Sequence, residues 1–224
     1  MKSPKKTPGR KAARTPARRS GQDAVTLLKA DHRKVEGLFK KAEKAKGGAK
    51  EALVEQICNE LIIHTTLEEE IFYPACRSED VEEDKMDEAQ VEHDGAKVLI
   101  NELKDAGAAS SMYDAKVKVL SEYIKHHVKE EEQPRKGVFA EAKRKGVDVV
   151  ALGARMKARK QALMQQAEDE GLPRPEPKSI DVARKPNGET PHADGEGGMG
   201  GRLRHFIKEA KRRHLGETAK RAVE

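Results

Sequence analysis

The chain has no tryptophan, three tyrosines and four phenylalanines in 224 residues. So few aromatics cannot fill a broad interior. With 38% charged residues and abundant Lys, Glu, Ala and Leu, the composition suits an all-α protein with a narrow core. Only two cysteines occur, Cys58 and Cys76, which excludes a disulfide framework. On one helix they would stand about 27 Å apart at 1.5 Å per residue, too far to bridge. A reducing, cytoplasmic setting is therefore expected. No apolar run approaches the roughly 20 residues of a membrane span, and no signal-peptide core is visible.

Charge of one sign is missing from the beginning of the chain. Residues 1–21 carry eight Lys/Arg and no acid, and residues 173–224 carry twelve Lys/Arg against eight Asp/Glu. Subtracting these +8 and +4 from the net +6 leaves −6 on residues 22–172. An acidic body thus has basic ends. The first 21 residues hold three prolines and two glycines and nothing to bury, so they are expected to be a disordered basic arm. Ser3-Pro4-Lys5-Lys6, Thr7-Pro8-Gly9-Arg10 and Thr15-Pro16-Ala17-Arg18 resemble the repeated units of linker-histone tails, which bind the DNA minor groove. A solubilising tail explains the same composition equally well. Residues 173–200 are rich in Pro and Gly and read as a linker. Residues 201–224 contain a short basic amphipathic pattern, Leu203, Phe206, Ile207 and Ala210, suited to an acidic partner, a membrane surface or the body itself.

Between the tails, residues 22–172 read as a four-helix body with an added helix. Apolar residues recur at helical spacing in four segments, about 23–46, 50–73, 83–105 and 112–145. A fifth segment, capped by Asp148, runs to about Glu170, with Val149, Leu152, Met156 and Leu163 on one face. Pro74 should end or kink the second helix. Pro134 should bend the fourth just past Glu131.

Each of the first four stripes carries a histidine where the core should be. They run Val25, Leu28, His32, Val35, Phe39, Ala42; Val54, Ile57, Leu61, His64, Glu68, Ile71; Met86, Ala89, His93, Ala96, Ile100, Leu103; and Tyr113, Val117, Leu120, Ile124, His127, Glu131. On two of the stripes the histidine is followed by a stripe glutamate at i+4, His64 by Glu68 and His127 by Glu131, neighbours on the same helix face. A buried carboxylate is costly unless paired or bound to metal. The midpoints of residues 32 and 64, 64 and 93, and 93 and 127 fall at 48, 78.5 and 110, close to the breaks at Gly47-Gly48, Ser78 and Ala106–Ser111. In an up-down-up-down bundle this places all four histidines at one height. Histidine and carboxylate donors without thiolate suit iron or manganese better than a structural zinc. Six donors from four helices fit two ions better than one. The halves also form a weak repeat, Asp31-His32 with Glu92-His93, and His64 with Glu68-Glu69-Glu70 against His127 with Glu130-Glu131-Glu132.

Asp31-His32-Arg33-Lys34-Val35, His64-x-x-x-Glu68-Glu69 with Tyr73-Pro74, Glu92-His93 and His126-His127-Val128-Lys129-Glu130-Glu131-Glu132 together resemble the hemerythrin family, in its bacterial HHE cation-binding branch, over about residues 23–165. The resemblance implies a four-helix bundle with a carboxylate-bridged non-haem di-iron centre. Such a centre binds dioxygen, peroxide or nitric oxide, or senses these or iron. By position, His32, His64, Glu68, His93, His127 and Glu131 match the family's ligands. Two departures argue against reversible oxygen carriage. Where the oxygen carriers have a second histidine four residues after the helix 3 ligand, this chain has Lys97. The helix 4 His–carboxylate spacing is four residues rather than five. Glu36, one turn after His32, or water could supply the missing ligand, with Lys97 an outer donor. An enzyme consuming peroxide or nitric oxide, and a DNA- or partner-binding protein with the bundle as scaffold, are the alternatives.

The basic arm generates a test. The full chain is expected to bind duplex DNA of any sequence, with affinity falling steeply as salt rises, and deletion of residues 1–21 should abolish binding in a mobility-shift assay. Equal binding by the truncated chain would show that the arm is not the contact.

Overall fold

Asp23 opens the first helix by accepting a 2.8 Å hydrogen bond from the Thr26 amide, one of the orphan donors of a helix start. The computed structural model describes residues 22–180, and there the chain is helical. The helices are α1 (Ala24–Ala42), α2 (Gly47–Leu67), α3 (Tyr73–Ser78), α4 (Glu83–Ala106), α5 (Tyr113–Glu131), α6 (Val138–Lys145) and α7 (Val149–Asp169), with a π-helical turn (Glu68–Phe72) joining α2 to α3. The basic arm, the amphipathic pattern after residue 200, and His192, His205 and His214 lie outside the described residues.

Cross-helix pairs fix the topology. On α1 and α2, His32 meets His64 and Lys34 meets Glu60. On α2 and α4, Asn59 meets Lys104, and Glu69 of the π turn meets His93. On α4 and α5, Glu102 meets Lys116 and Glu92 meets His127. On α1 and α5, His32 meets Glu131 and Lys29 meets Glu132. In each pairing the numbers rise on one helix as they fall on the other, so neighbours are antiparallel and the four rods close an up-down-up-down ring. The stripe residues are all buried except Ile124, which is partly so.

The structure departs from the sequence reading in four places. Gly47 and Gly48 form the first turn of α2, so the break is shorter and lies at residues 43–46. The second helix does not end at Pro74. The π turn absorbs the proline, and the rod runs on to Ser78. The fourth helix is broken rather than bent. Pro134 lacks an amide and disfavours helical backbone in the residue before it. Arg135 takes a left-handed φ of 70°, and Gly137 donates to the Gln133 carbonyl at 2.8 Å before α6 starts. A Cβ on Gly137 would lie 2.2 Å from the Glu131 carbonyl oxygen, so only glycine fits this reversal. Finally, the start of the expected linker is a strap. Leu172 is buried, the Asn101 side-chain amide donates to the Pro175 carbonyl at 2.9 Å, and the Lys178 and Ser179 amides donate to Asp94 at 2.7 and 2.5 Å.

The fifth segment behaves as expected. Asp148 caps it by accepting from the Ala151 amide at 2.9 Å, and Leu152, Met156 and Leu163 are buried. This helix, α7, packs on α1 and α2. The approach is close because Gly153 has no side chain, and a Cβ there would lie 2.3 Å from the Gln22 carbonyl oxygen and 2.9 Å from the Ala24 amide. Gly153→Ala should therefore lower stability by about 1–3 kcal/mol, the usual cost of overpacking, read as a lower midpoint of thermal unfolding. Gly48→Ala, where a Cβ meets nothing within 4 Å, should leave the midpoint unchanged or raise it.

Candidate metal centre

The stripe phase carries His32, His64, His93 and His127 inward, one from each rod. Their Nε2 atoms meet in pairs, His32 with His64 at 3.1 Å and His93 with His127 at 3.2 Å. Two glutamates complete the layer. Glu68 Oε2 lies 3.1 Å from His64 Nε2 and 3.3 Å from His93 Nε2. Glu131 Oε2 lies 3.4 Å from both His32 Nε2 and His127 Nε2. Each carboxylate thus spans the gap between one imidazole pair and the other. His32, His64, Glu68 and Glu131 form one group with donor atoms within 4.8 Å of each other, and Glu68, His93 and His127 form a second. Glu68 belongs to both.

Behind every imidazole stands a second carboxylate. His32 Nδ1 faces Glu132 Oε1 at 2.8 Å, His93 Nδ1 faces Glu69 Oε1 at 3.1 Å, and His127 Nδ1 faces Glu92 Oε2 at 2.8 Å. His64 Nδ1 lies 3.9 Å from Asp31 Oδ2, an ion-pair distance rather than a hydrogen bond. The arrangement has approximate twofold symmetry. Asp31 and Glu92 each precede one histidine and back another, and Glu69 and Glu132 each follow an inner glutamate. A ring nitrogen donating outward leaves its partner nitrogen with a lone pair pointing inward. With all four rings neutral and Nδ1–H outward, the paired Nε2 lone pairs would face each other at 3.1 and 3.2 Å, a geometry that suits a cation between them.

Three of the four outer carboxylates are themselves tied to lysine or arginine. Lys160 of α7 pairs with Asp31. Lys97 and Lys178 reach Glu69 at 2.7 and 2.8 Å, and Arg33 pairs with Glu132. Lys97 occupies the place of the expected second histidine. Its ammonium also holds Asp94 at 3.0 Å, so it neutralises outer carboxylates. Glu36 is not brought to the centre. It pairs with Lys40 at 2.9 Å and Arg33 at 3.4 Å on the surface of α1, its side chain 37% exposed.

Sequence reasoning gave no role to Tyr73. Its hydroxyl donates to Glu131 Oε1 at 2.9 Å, and its ring stacks on His93 with centroids 5.7 Å apart. In an α-helix Glu68 and Tyr73, five residues apart, would diverge by about 140°. The π turn that begins at Glu68 closes each ring over one more residue, and the Tyr73 amide bonds to the Glu68 carbonyl. Both side chains then face the same layer. The backing carboxylates had a readable signal in the internal repeat. Lys160 and Lys178 had none.

The electrostatics define what the centre lacks. Burial works against charge at His64, but Glu68 and then Asp31 outweigh it and raise its pKa to about 10. Burial likewise opposes a charged His127, yet Glu131 and Glu92 raise it well above the ordinary value. Burial favours a neutral Glu131, and His127 and His32 bring it well below the usual carboxylate range. Both Glu68 oxygens and Glu131 Oε2 are buried without a hydrogen-bond partner. The layer needs positive charge, whether as protons on imidazole or as metal ions. The donor set fits a metal, and metal uptake would then release protons.

This fixes a pH dependence. With raised pKa values, His64 and His127 stabilise the metal-free fold fully below the ordinary histidine value of 6.5 and lose that contribution as pH rises, for His64 through about 10. Glu68 and Glu131, with lowered values, stabilise it above 4.5 and lose that as pH falls. The chelator-treated chain should be most stable between about pH 4.5 and 6.5. Its thermal midpoint should fall toward pH 10, while bound metal slows that fall. A metal-free midpoint that climbs from pH 6.5 to 9 would contradict this.

Comparison with known proteins agrees with the geometry. The hemerythrin HHE cation-binding domain matches residues 23–134, from the Asp23 cap through Pro134 in the break after α5. A solved hemerythrin HHE cation-binding domain-containing protein from Mycobacterium kansasii superposes with a TM-score of 0.55 at 21% identity, covering 67% of this chain and 94% of that one. At that identity the likeness speaks for the fold alone. No curated protein matches the chain. With half of its residues matched and a layer of histidine and glutamate able to hold metal, the chain belongs to the hemerythrin HHE cation-binding domain family.

Proposed function

We propose that the centre holds two non-haem iron ions, one between His32 and His64 and the other between His93 and His127, bridged by Glu68 and Glu131. On this reading the protein binds or senses dioxygen, peroxide or nitric oxide. The observation that carries it is Glu68, fully buried, with neither oxygen hydrogen-bonded, set between the two imidazole pairs. An unmatched buried carboxylate is among the costlier things a core can hold, and a pair of cations removes the cost. Nitrogen and oxygen donors without thiolate suit iron or manganese, and the family resemblance favours iron. Burial pushes both cysteine thiols up to about 12, so they stay protonated at neutral pH, and both are free, the state a reducing cytoplasm preserves. Among the described residues no helix is long and apolar enough to cross a membrane.

When bound, the iron pair supplies redox chemistry toward the small molecule. The chain supplies the rest. Outer carboxylates orient the four rings and keep Nε2 aimed inward. Lys97 and Lys160 balance those carboxylates. Phe72, Tyr73 and Phe139, all buried, keep water from the layer. With Lys97 and Glu36 directed elsewhere, the residues that would hold each ion are two imidazoles and two shared carboxylates. That is fewer donors than the six of an octahedral site, so an outside ligand would have room to bind.

One observation favours the enzymatic alternative, consumption of peroxide or nitric oxide. The Tyr73 hydroxyl stays protonated because burial, and then the Glu131 charge, raise its pKa well above 10, and it donates to an inner glutamate. The hydrogen bond to Glu131, rather than the acidity of the hydroxyl, would let this proton move toward a reduction that takes up protons.

Iron per chain and the oxo-to-iron absorption of the full-length protein test the reading. His64→Ala and Glu68→Ala should lose most of the iron. His127→Ala should lose most of one ion, and His126→Ala should keep both. A wild-type chain without iron after expression in iron-rich medium, or full loading of His64→Ala and Glu68→Ala, would sink the assignment. Turnover of hydrogen peroxide or nitric oxide by the loaded protein distinguishes the enzyme from the sensor.

A further inference from the structure

Helix α5 carries the His-x-x-x-Glu spacing twice, one residue out of step. His127 and Glu131 turn into the bundle. His126 and Glu130, rotated by about 100°, emerge beside α4 with side chains 39% and 49% exposed. His126 Nε2 lies 3.1 Å from Glu130 Oε1 and 3.6 Å from Glu92 Oε1. One donor atom from each of the three residues falls within 4.8 Å of the others. Glu92 is buried and faces both ways, since its other oxygen accepts from His127 Nδ1 at 2.8 Å.

The approximate twofold symmetry gives this cluster a meaning that a surface ion pair lacks. In the first half of the repeat, the places of His126 and Glu130 are taken by Ile63 and Leu67, both buried. The counterpart of Glu92 is Asp31, and there the Lys160 ammonium supplies the positive charge. Glu69 and Glu132 likewise have lysine or arginine partners. Around Glu92 the ion pairs run to His126 and His127, and a second carboxylate, Glu130, is added. Beside the equivalent carboxylates Asp31 and Glu92, the first half thus sets an ammonium and the second an imidazole and a further carboxylate.

We propose that Glu92, His126 and Glu130 form an outer binding site for a divalent transition-metal cation of the zinc, iron(II) or manganese(II) class. Two carboxylate oxygens and one imidazole nitrogen match such borderline cations. The i,i+4 spacing sets two donors side by side on one helix, and the hydrogen bond from His127 holds the third in place. Partial exposure of His126 and Glu130 leaves the remaining positions to water, so the ion exchanges with solvent. Glu92 then links the outer ion to the ring of His127.

Zinc titration of the full-length, iron-loaded protein by isothermal calorimetry tests the site, with iron per chain measured before and after. The wild type should take up one zinc ion that His126→Ala and Glu130→Gln bind at least tenfold more weakly, both variants keeping wild-type iron. X-ray absorption at the zinc edge should show one imidazole nitrogen among oxygen donors. Zinc affinity and stoichiometry unchanged in both variants would overturn the proposal and leave an ordinary surface pair, as would a wild type that takes up no zinc. The comparison is made at equal iron content, so it reads the outer site whatever the buried centre holds.

Discussion

Charge buried at mid-height governs this fold. Two carboxylates and four imidazoles occupy a layer where a helical bundle ordinarily places leucine, and Glu68 and Glu131 are almost wholly removed from water. Removing such groups from solvent without compensation costs several kcal/mol each. The surroundings are arranged in shells that supply it. The imidazoles face the inner carboxylates, a ring of outer carboxylates faces the imidazoles, and lysines and arginines face three members of that ring. Charge alternates outward until it reaches solvent. Only the innermost layer has no lysine or arginine of its own, so its positive charge must come from protons on imidazole or from a metal ion.

Such a layer tolerates no error of phase. An α-helix turns about 100° per residue, so one residue of slippage exchanges His127 for His126. The chain controls phase with local devices. The π turn at Glu68–Phe72 brings Tyr73 to the side of Glu68 and takes up Pro74 without ending the rod. The break after Glu131 stops the fourth helix at its last inward donor, with Gly137 admitting a reversal that any Cβ would block. It also frees α6 to place Phe139 against His32, the rings stacked at 5.8 Å.

Much of this was legible in the sequence, for identifiable reasons. A helical stripe keeps its phase over several turns, so the inward aim of all four histidines and both glutamates follows from apolar spacing. Antiparallel rods joined by short loops place residues symmetric about each loop at one height, so the shared layer follows as well. Glu36 was misplaced because i+4 from His32 is near the stripe edge, where Lys40 and Arg33 compete for it. The π turn was not readable, since no residue pattern distinguishes a five-residue ring from an ordinary turn. Pro134 signals a bend and a break alike. The strap was hidden by composition. A Pro-rich segment reads as linker, yet Asp94 gathers the amides of Lys178 and Ser179 through a choice of distant partners that spacing does not encode.

The span of the chain gathered into one layer has a consequence for how the protein comes into being. Each helical hairpin, α1 with α2 and α4 with α5, brings two of the imidazoles together from local sequence and can form early. The contacts that complete the surroundings of the first two histidines are remote, His32 with Glu132 one hundred residues away and Asp31 with Lys160 at 129. Such distant closures are the slow part of folding. During synthesis from the N-terminus, the carboxylate that holds the first histidine emerges only after more than half the chain, and the lysine that balances Asp31 later still. Until Glu132 and Lys160 have been made, His32 and Asp31 are without the partners that hold and balance them in the finished fold. The finished interior is a property of the whole chain, acquired near the end of its making.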